Sequence, residues 1–190
     1  MSKIDFSDIN VPELIADMWE PLTEEQREYL SEHFTIQNFK KNEVVHFEGE
    51  TPTHLMCLLT GKVKIYKDGV GGRSQIIRMM KPVEYFGYRA YFSEQAYVTA
   101  AAAFEPSVIC LIPMTVITKL IRQNNDLAMF FIKQLSNDLG MSDTRTVNLT
   151  QKHIRGRLAE SLLFLKESYG IEEDGSTLSI YLSREDLANL

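Results

Sequence analysis

The sequence predicts an α+β protein in which helices flank a roll of short antiparallel strands, built as a barrel or a sandwich. Apolar residues recur with a helical period up to residue 33, with a period close to two from residue 34 to residue 112, and with a helical period again afterwards. The candidate strands are short and are separated by glycine or proline, as is typical of antiparallel barrels and sandwiches. These changes in period divide the chain into residues 1–112, 113–150 and 151–190.

The first helical region spans residues 11–33. Within it, Thr23 and Gln26 form a capping-box sequence, in which the threonine hydroxyl accepts from a backbone N–H of the first turn and the glutamine returns the bond. Leu22 before this cap and Leu30 after it supply part of the apolar face. We therefore expect a helix to begin directly after Thr23.

The region with a period of two contains the strands of the predicted roll. The candidate strands are residues 36–39, 44–47, 55–59, 63–66, 75–79, 97–103 and 108–112. The sequence DGVGGR at residues 68–73 lies between the fourth and the fifth of them, and its glycines can adopt the positive φ angles that hairpin loops require. We therefore expect these two strands to form a hairpin.

Two further helices are predicted at residues 114–123 and 127–150, with polar residues 124–126 as a break and a cap. The longer helix has an apolar stripe that recurs every four residues, and such a long, narrow stripe favours pairing with a second copy of the chain. The residues of this predicted dimer interface are Leu127, Phe131, Leu135 and Leu139. Packing on the roll of their own chain is the alternative. The stripe weakens after Gly140, so residues 140–146 are a candidate hinge.

A last full helix is predicted over residues 154–169, with Gly170 as its C-cap. Residues 178–182 alternate in polarity as a short strand does, and Ser183 with Asp186 then resembles the start of a capping box. Leu187 and Leu190 begin an apolar stripe. We therefore expect a helix to begin at Ser183 and the sequence to stop before the partner of that helix.

Composition argues against several classes of protein. No apolar run approaches the ~20 residues that span a bilayer, so we expect no membrane contact. The first residues carry no apolar leader, and Cys57 and Cys110 lie in strand-like stretches, where buried reduced thiols fit a cytoplasmic protein. The net charge of −6 argues mildly against nucleic-acid binding, because affinity for DNA depends largely on Lys and Arg that neutralise phosphates.

Several segments, in a fixed order, resemble a known family. They are FKKNEVVHFEGE (39–50), HLMCLLTGKVKIYK (54–67), the stretch from QIIRMM to VICLIP (75–113), RGRLAESLLFL (155–165) and LSREDLANL (182–190). Together they resemble the Crp/Fnr family of bacterial transcription regulators. The resemblance implies a cyclic-nucleotide-binding-like β-roll of the jelly-roll type, a long dimerisation helix and a partial winged-helix (helix-turn-helix) domain. It also implies a homodimer that binds palindromic double-stranded DNA and responds to a small-molecule effector, with RNA polymerase as a further candidate partner.

The resemblance places an effector pocket in the roll. The family-equivalent positions are Phe86, Gly87, Tyr88, Arg89, Glu94, Gln95 and Thr99. The cyclic-nucleotide subgroup uses a Phe-Gly-Glu-like turn and then an Arg-Ser pair, whereas here Tyr88 replaces the glutamate and Glu94-Gln95 replaces the pair. A carboxylate ~4 Å from a phosphate is repelled by roughly 4 kcal/mol at an effective dielectric constant of ~20. We therefore expect no binding of cyclic AMP; the alternative is that these residues only pack the roll.

The sequence identifies no cofactor. Two cysteines in separate strands cannot supply the four ligands of an iron–sulfur cluster. The candidate axial ligands of a haem are His33, His46, His54 and His153, but a lone histidine near a strand end is more often exposed or bonded locally. No HxH or CxxC spacing lies near His46 and His54, so we expect neither haem nor a metal site.

A small basic cluster begins the last full helix and consists of Lys152, His153, Arg155 and Arg157. Such a cluster suits contacts with the DNA backbone, although a solvated helix face has the same composition. Ser183 and Arg184 would begin the helix-turn-helix. These positions are the candidate DNA-binding residues.

Enzymatic activity is not expected. The sequence has no recognisable nucleophile–base constellation, no GxxxxGK or HExxH motif and no paired carboxylates on a helix face. The first hypothesis is therefore a DNA-binding transcription regulator. The alternative is a ligand-binding and dimerisation module that acts through protein partners without binding DNA, which the acidic net charge favours.

Overall fold

The computed structural model describes residues 10–69 and 74–182. Its first helical region consists of three short helices, α1 (Val11–Leu14), α2 (Ala16–Trp19) and α3 (Glu24–Ser31). The predicted cap of α3 is confirmed, because the Gln26 backbone N–H donates to Thr23 Oγ1 at 3.3 Å and the Thr23 N–H donates to Gln26 Oε1 at 3.1 Å. The cap sets the point at which the chain enters α3.

In the described part of the chain, eight strands form the predicted roll. They are β1 (Thr35–Phe39), β2 (Val44–His46), β3 (His54–Thr60), β4 (Val63–Asp68), β5 (Ser74–Met80), β6 (Glu84–Phe86), β7 (Ala100–Ala103) and β8 (Ser107–Pro113). They pair in two antiparallel sheets, sheet 1 with the order β1-β8-β3-β6 and sheet 2 with the order β2-β7-β4-β5. This is a jelly roll, so the predicted fold class is confirmed.

The strand predictions differ from the structure in two places. The sequence does not predict β6, which has only three residues. The predicted strand at residues 97–103 begins only at Ala100, because Tyr97 bonds to a loop instead: its N–H donates to Glu50 O at 2.9 Å and its carbonyl accepts from Gly49 N–H at 2.8 Å. The predicted hairpin between β4 and β5 is confirmed, while residues 70–73 of its loop lie outside the described residues.

The central strands of sheet 1, β3 and β8, are buried on both faces, which accounts for their continuous apolar runs. Between the two sheets lies the inner core, which includes Met56, Leu58, Val63, Met80 and Ile109. The other face of sheet 1 packs against the helices in the outer core, which includes Leu55, Cys57, Cys110, Ile112 and Ile117. Both cysteines are buried free thiols, as predicted, and burial raises the pKa of Cys110 to about 12.

Helix α4 (Tyr88–Phe92) follows β6, and the helices α5 (Met114–Gln123) and α6 (Asn125–Gln151) follow β8. Asn124 is the predicted break between the last two. Its Oδ1 accepts from the backbone N–H groups of Asp126 and Leu127 at 3.0 and 3.1 Å, which caps α6.

Helix α6 continues without a break through residues 140–146, where the sequence places a candidate hinge. Thr144 Oγ1 donates to a carbonyl oxygen of the preceding turn, which satisfies its hydroxyl within the helix. Arg145 donates to the Ile77 carbonyl oxygen in β5, which ties this stretch to sheet 2. The chain turns instead at Lys152, between α6 and α7 (Ile154–Tyr169).

Helix α7 ends at Gly170 with a φ of 78°, as predicted. The strand predicted at residues 178–182 is wrong, because only Leu178 pairs, in an isolated bridge with Ile171. The chain curls here: the Ile180 N–H donates to Leu178 O at 2.7 Å, and the Ile180 side chain packs on sheet 2. The helix predicted from Ser183, with Leu187 and Leu190, lies outside the described residues.

Candidate functional site

The turn that corresponds to the family's effector site joins β6 to α4. Phe86 is buried in the inner core, and Gly87 has a φ of 90°, a left-handed conformation that glycine adopts without strain. A Cβ atom on Gly87 would lie 2.8 Å from Met56 Cε and 2.9 Å from the His54 carbonyl oxygen. The turn is therefore packed closely against β3, and a larger residue does not fit there.

Tyr88, which stands at the position of the family's glutamate, points toward the long helix α6. Its hydroxyl donates to Asp138 Oδ2 at 3.0 Å, and its ring packs edge-to-face on Phe131 with the ring centroids 5.5 Å apart. Burial, together with the neighbouring Asp138 carboxylate, raises the pKa of the Tyr88 hydroxyl. The phenol therefore stays neutral at physiological pH and acts as a hydrogen-bond donor.

Asp138 also binds a guanidinium. Its Oδ1 lies 2.5 Å from Arg78 Nη1 in β5, and Arg78 Nη2 lies 3.8 Å from Glu84 Oε1 in β6. All three charged side chains are half-buried. One cation is thus shared by two carboxylates, and the nearby Arg145 guanidinium adds a second cation, so the four charges balance between the roll and α6.

The remaining residues of the predicted pocket face elsewhere. Arg89, Glu94 and Gln95 are exposed, and Glu94 has a positive φ of 54°. Thr99 is half-buried and directly precedes β7. The predicted set therefore separates into a packed part, residues 86–88, and a part that faces solvent, and it does not surround a single cavity.

A histidine and a tyrosine that the sequence does not single out as a pair occupy the roll next to this turn. The Tyr97 hydroxyl lies 3.2 Å from the position of a Cβ on Gly87, and the Tyr97 ring stacks on His46. The His46 side chain is only 6% exposed, its Nδ1 has no hydrogen-bond partner among the described residues, and burial lowers its pKa to about 4. A cavity of about 160 Å³ adjoins the pair, with Gln37 and Glu50 among its lining residues.

The predicted dimer stripe of α6 does not lie on one surface. Leu127 and Phe131 are 1% and 3% exposed and belong to the outer core of their own chain, where Leu135 packs against them. Leu127 and Phe131 are therefore reassigned from the dimer interface to the core, since they have almost no surface left for a partner, whereas Leu135 is half-buried. Leu139 alone of the four is well exposed.

The opposite face of α6 exposes a second apolar stripe. Met129, Ile132 and Leu139 have exposed fractions of 58%, 53% and 64%. With Ser136 between the last two, these positions follow each other at steps of three, four and three residues, which is the spacing of a coiled-coil seam. We call Met129, Ile132, Ser136 and Leu139 the outer seam.

The predicted DNA-binding residues lie at the start of α7 and beyond. Arg155 is exposed, whereas Arg157 is half-buried and its Nε has no partner among the described residues. Lys152 forms an ion pair with Glu160, so part of the basic cluster is neutralised. Ser183 and Arg184 lie outside the described residues.

Within residues 10–69 and 74–182, no three His, Cys, Asp or Glu side chains come together as metal ligands. In the same part of the chain, no helix has both the length and the apolar character that a bilayer-crossing segment needs.

Comparisons with known proteins agree with this architecture. The model of the cyclic nucleotide-binding domain matches residues 36–124. The chain is 32% identical to an uncharacterized protein of Haemophilus influenzae over 116 residues, which are 60% of this chain and 87% of the relative. It is 23% identical to the CRP-like cAMP-activated global transcriptional regulator of Mycobacterium tuberculosis over 154 residues, which are 80% and 69% of the two chains.

Among solved structures, FixK2 from Bradyrhizobium japonicum superposes with a TM-score of 0.74 at 22% identity, covering 82% of this chain and 76% of FixK2. This likeness concerns the fold. The order of elements is the one that the resemblance implies: two four-stranded sheets, a glycine turn before α4, and the long α6. The matched domain, the relatives and this shared architecture together show that the chain belongs to the Crp/Fnr family of transcription regulators.

Proposed function

We propose that this protein is a homodimeric transcription regulator that binds double-stranded DNA and pairs through the outer seam of α6. The observation that carries the proposal is the outer seam itself. Met129, Ile132 and Leu139 are apolar, well exposed and spaced as a coiled-coil seam, on the side of α6 that faces away from the roll. Each of these side chains is already partly buried in the monomer, so burying the rest of it against a second copy would stabilise the dimer by about 1 kcal/mol.

Sedimentation velocity of two single variants tests the dimer. Ile132→Asp and Leu139→Asp each place a carboxylate in the seam, and we expect both to sediment as monomers at concentrations where the unmodified protein is a dimer. Lys133→Asp is the matched control, because Lys133 is exposed on the same helix next to the seam. This substitution changes the charge of the protein by more than either seam variant does. A dimer that persists in both seam variants would contradict the proposed interface.

DNA binding is supported by family membership and by the exposed Arg155 at the start of α7. The test is selection from a random duplex library with the protein expressed from its natural reading frame. We expect the recovered sequences to share a palindrome whose half-sites are about 34 Å apart, one turn of B-DNA. Arg155→Ala should weaken binding to all sequences alike and reduce the salt dependence by about one phosphate contact. Recovered sequences without a common half-site would contradict sequence-specific reading.

We also propose that cyclic AMP is not the effector. Arg78 is already shared by Asp138 and Glu84, and the exposed Glu94 stands where the family's cyclic-nucleotide subgroup has arginine. Isothermal titration calorimetry should give no saturable heat with cyclic AMP up to about 1 mM. A dissociation constant in the micromolar range would contradict this part of the proposal.

A second candidate function is a ligand-binding and dimerisation module that acts through protein partners, RNA polymerase among them. The net charge of −6 favours it over contacts with phosphates. The duplex selection separates the two candidate functions. A protein that is dimeric but selects duplexes without a shared sequence is expected only if it is the ligand-binding and dimerisation module.

A further inference from the structure

Asp138 joins three elements of the structure. It lies on α6, its Oδ2 accepts from the Tyr88 hydroxyl of α4 at 3.0 Å, and its Oδ1 lies 2.5 Å from Arg78 Nη1 of β5. Helix α4 is the helix that begins at the glycine turn. The side chains of this protein therefore connect the turn, sheet 2 and the long helix directly.

The contact lies on the face of α6 that packs on the roll. Phe131, Asp138 and Arg145 follow each other at steps of seven residues, which places them on one side of the helix. Phe131 packs on Tyr88, and Arg145 donates to the carbonyl oxygen of Ile77, the residue before Arg78. Over two heptads, α6 is thus attached first to α4 and then to two adjacent residues of β5.

The bonds at Asp138 are of the strong kind. The carboxylate accepts one hydrogen bond from a guanidinium and one from a buried phenol, and charge-assisted bonds of this type are shorter and stronger than bonds between neutral groups. Tyr88 is buried, so its hydroxyl would lose its partner without gaining water if Asp138 were removed. The two bonds at Asp138 therefore act together with the packing of Phe131 and the bond of Arg145 in holding α6 on the roll.

We propose that Asp138 is a positioning residue that helps to hold α6 on the roll and thereby fixes the direction of the outer seam. The seam residue Leu139 directly follows Asp138, so a rotation of the helix that releases Asp138 also turns the seam. The link to dimerisation rests on the proposed function, whereas the attachment itself is internal to one chain.

Hydrogen–deuterium exchange of the full chain, read by mass spectrometry on peptides within residues 134–148, tests the attachment. Asp138→Ala should speed exchange in this stretch at least ten-fold, and Tyr88→Phe should speed it several-fold. Alanine is the better helix former, so faster exchange in Asp138→Ala cannot come from helix propensity. Once Asp138→Ala is present, adding Tyr88→Phe should change little, because the two residues act through one bond.

Two matched controls make the result specific. Asp143→Ala removes an exposed carboxylate five residues further along the same helix and should leave exchange unchanged. Tyr85→Phe removes the other tyrosine–carboxylate bond, 2.7 Å from Tyr85 Oη to Asp17 Oδ1, and should speed exchange around α2 and not in residues 134–148.

Either of two results would overturn the proposal. One is wild-type exchange of residues 134–148 in Asp138→Ala. The other is a rise in exchange in Asp143→Ala as large as in Asp138→Ala, which would mean that the position of the carboxylate on α6 does not matter. Repeating the measurement in the Leu139→Asp background separates this inference from the proposed function, since the attachment must survive in a monomer even if the dimer or DNA binding fails.

Discussion

His46 and Tyr97 lie face to face inside the roll, with ring centroids 3.8 Å apart and ring planes 24° apart. Burial of the imidazole lowers the pKa of His46 from 6.5 to about 4, partly opposed by the charge of Glu50. Stacking on Tyr97 fixes the ring in a place where a proton is hard to accommodate. This pair therefore makes the stability of the roll sensitive to pH.

The first prediction concerns this sensitivity. Between pH 6.5 and about pH 4 the unfolded chain binds a proton on His46 and the folded chain does not, so the free energy of unfolding falls as the pH is lowered through this window. The full loss is about 3 kcal/mol, and this group adds no further loss below pH 4. Urea titrations at pH 7.5, 6 and 5 measure it.

The control for this prediction separates His46 from the carboxylates that titrate nearby. His46→Phe keeps a ring against Tyr97 and should lose the His46 part of the pH dependence. The stability of the variant relative to that of the wild type should therefore rise as the pH falls. His153→Phe removes an exposed histidine and should leave the slope unchanged. Parallel pH profiles for wild type and His46→Phe would refute the assignment.

The second prediction compares two glycines. Gly87→Ala forces a side chain into a φ of 90° and against Met56 and the His54 carbonyl oxygen, so we expect a loss of stability of about 1–3 kcal/mol or more. Gly140→Ala adds a Cβ that meets nothing within 4 Å in the middle of α6, and we expect a gain of about 0.5–1 kcal/mol. Thermal or urea unfolding of both variants checks the opposite signs.

Local patterns with a direct physical cause were predictable from the sequence. The capping box at Thr23, the cap at Asn124 and the end of α7 at Gly170 each follow from one or two residues whose side chain or φ angle suits a helix terminus. The roll follows from the alternation and the turn residues. Strand β6 has only three residues, which is too short for an alternating pattern to be detected. Residues 178–182 alternate in polarity as a strand does, but only Leu178 pairs.

The candidate site was less predictable, because it depends on contacts between distant residues. A period of four on α6 identifies an apolar face but not the surface that covers it. In the sequence, the core residues Leu127 and Phe131 therefore have the same spacing as residues of a dimer interface would have. Asp138 gives a detectable hint, since it continues the heptad of Phe131 with a carboxylate on a buried face. Its partners Tyr88 and Arg78 are 50 and 60 residues away and become visible only in the fold.

The third prediction concerns the junction of α6 with the N-terminal helices. Asn124 caps α6 through Oδ1, and its Nδ2 donates to Pro21 O at 2.8 Å and to Gln26 Oε1 at 2.9 Å. Asn124→Ala loses the cap and both of these bonds, so we expect a loss of about 2–3 kcal/mol. Asn124→Asp keeps the acceptor and loses the donors, so its stability should lie between those of the wild type and Asn124→Ala.

Asn125→Ala is the control for the junction, because Asn125 is exposed and should change stability by less than about 0.5 kcal/mol. The measurement is the urea midpoint of the four proteins. An Asn124→Ala variant as stable as Asn125→Ala would show that the bonds to Pro21 and Gln26 contribute nothing net.

The fourth prediction concerns the packing of α7 on sheet 2. Leu165 is fully buried and belongs, with Ile180, to a cluster on Ile76, Met79 and Phe104. The neighbouring Tyr169 adds polar contacts, since its ring lies 5.3 Å from Lys62 Nζ and burial raises the pKa of its hydroxyl. This cluster attaches the end of the described chain to the roll, so its loss should release α7.

Leu165→Ala removes side-chain volume from this cluster, and we expect a loss of about 2–5 kcal/mol, the range for leucine in a packed core. Leu163→Ala, two residues earlier on the same helix and 56% exposed, should cost less than about 0.5 kcal/mol. Limited trypsin digestion near Lys152 and Arg155 should accelerate only in Leu165→Ala, because local opening exposes the turn between α6 and α7. Equal digestion rates in the two variants would mean that α7 is held by contacts other than this cluster.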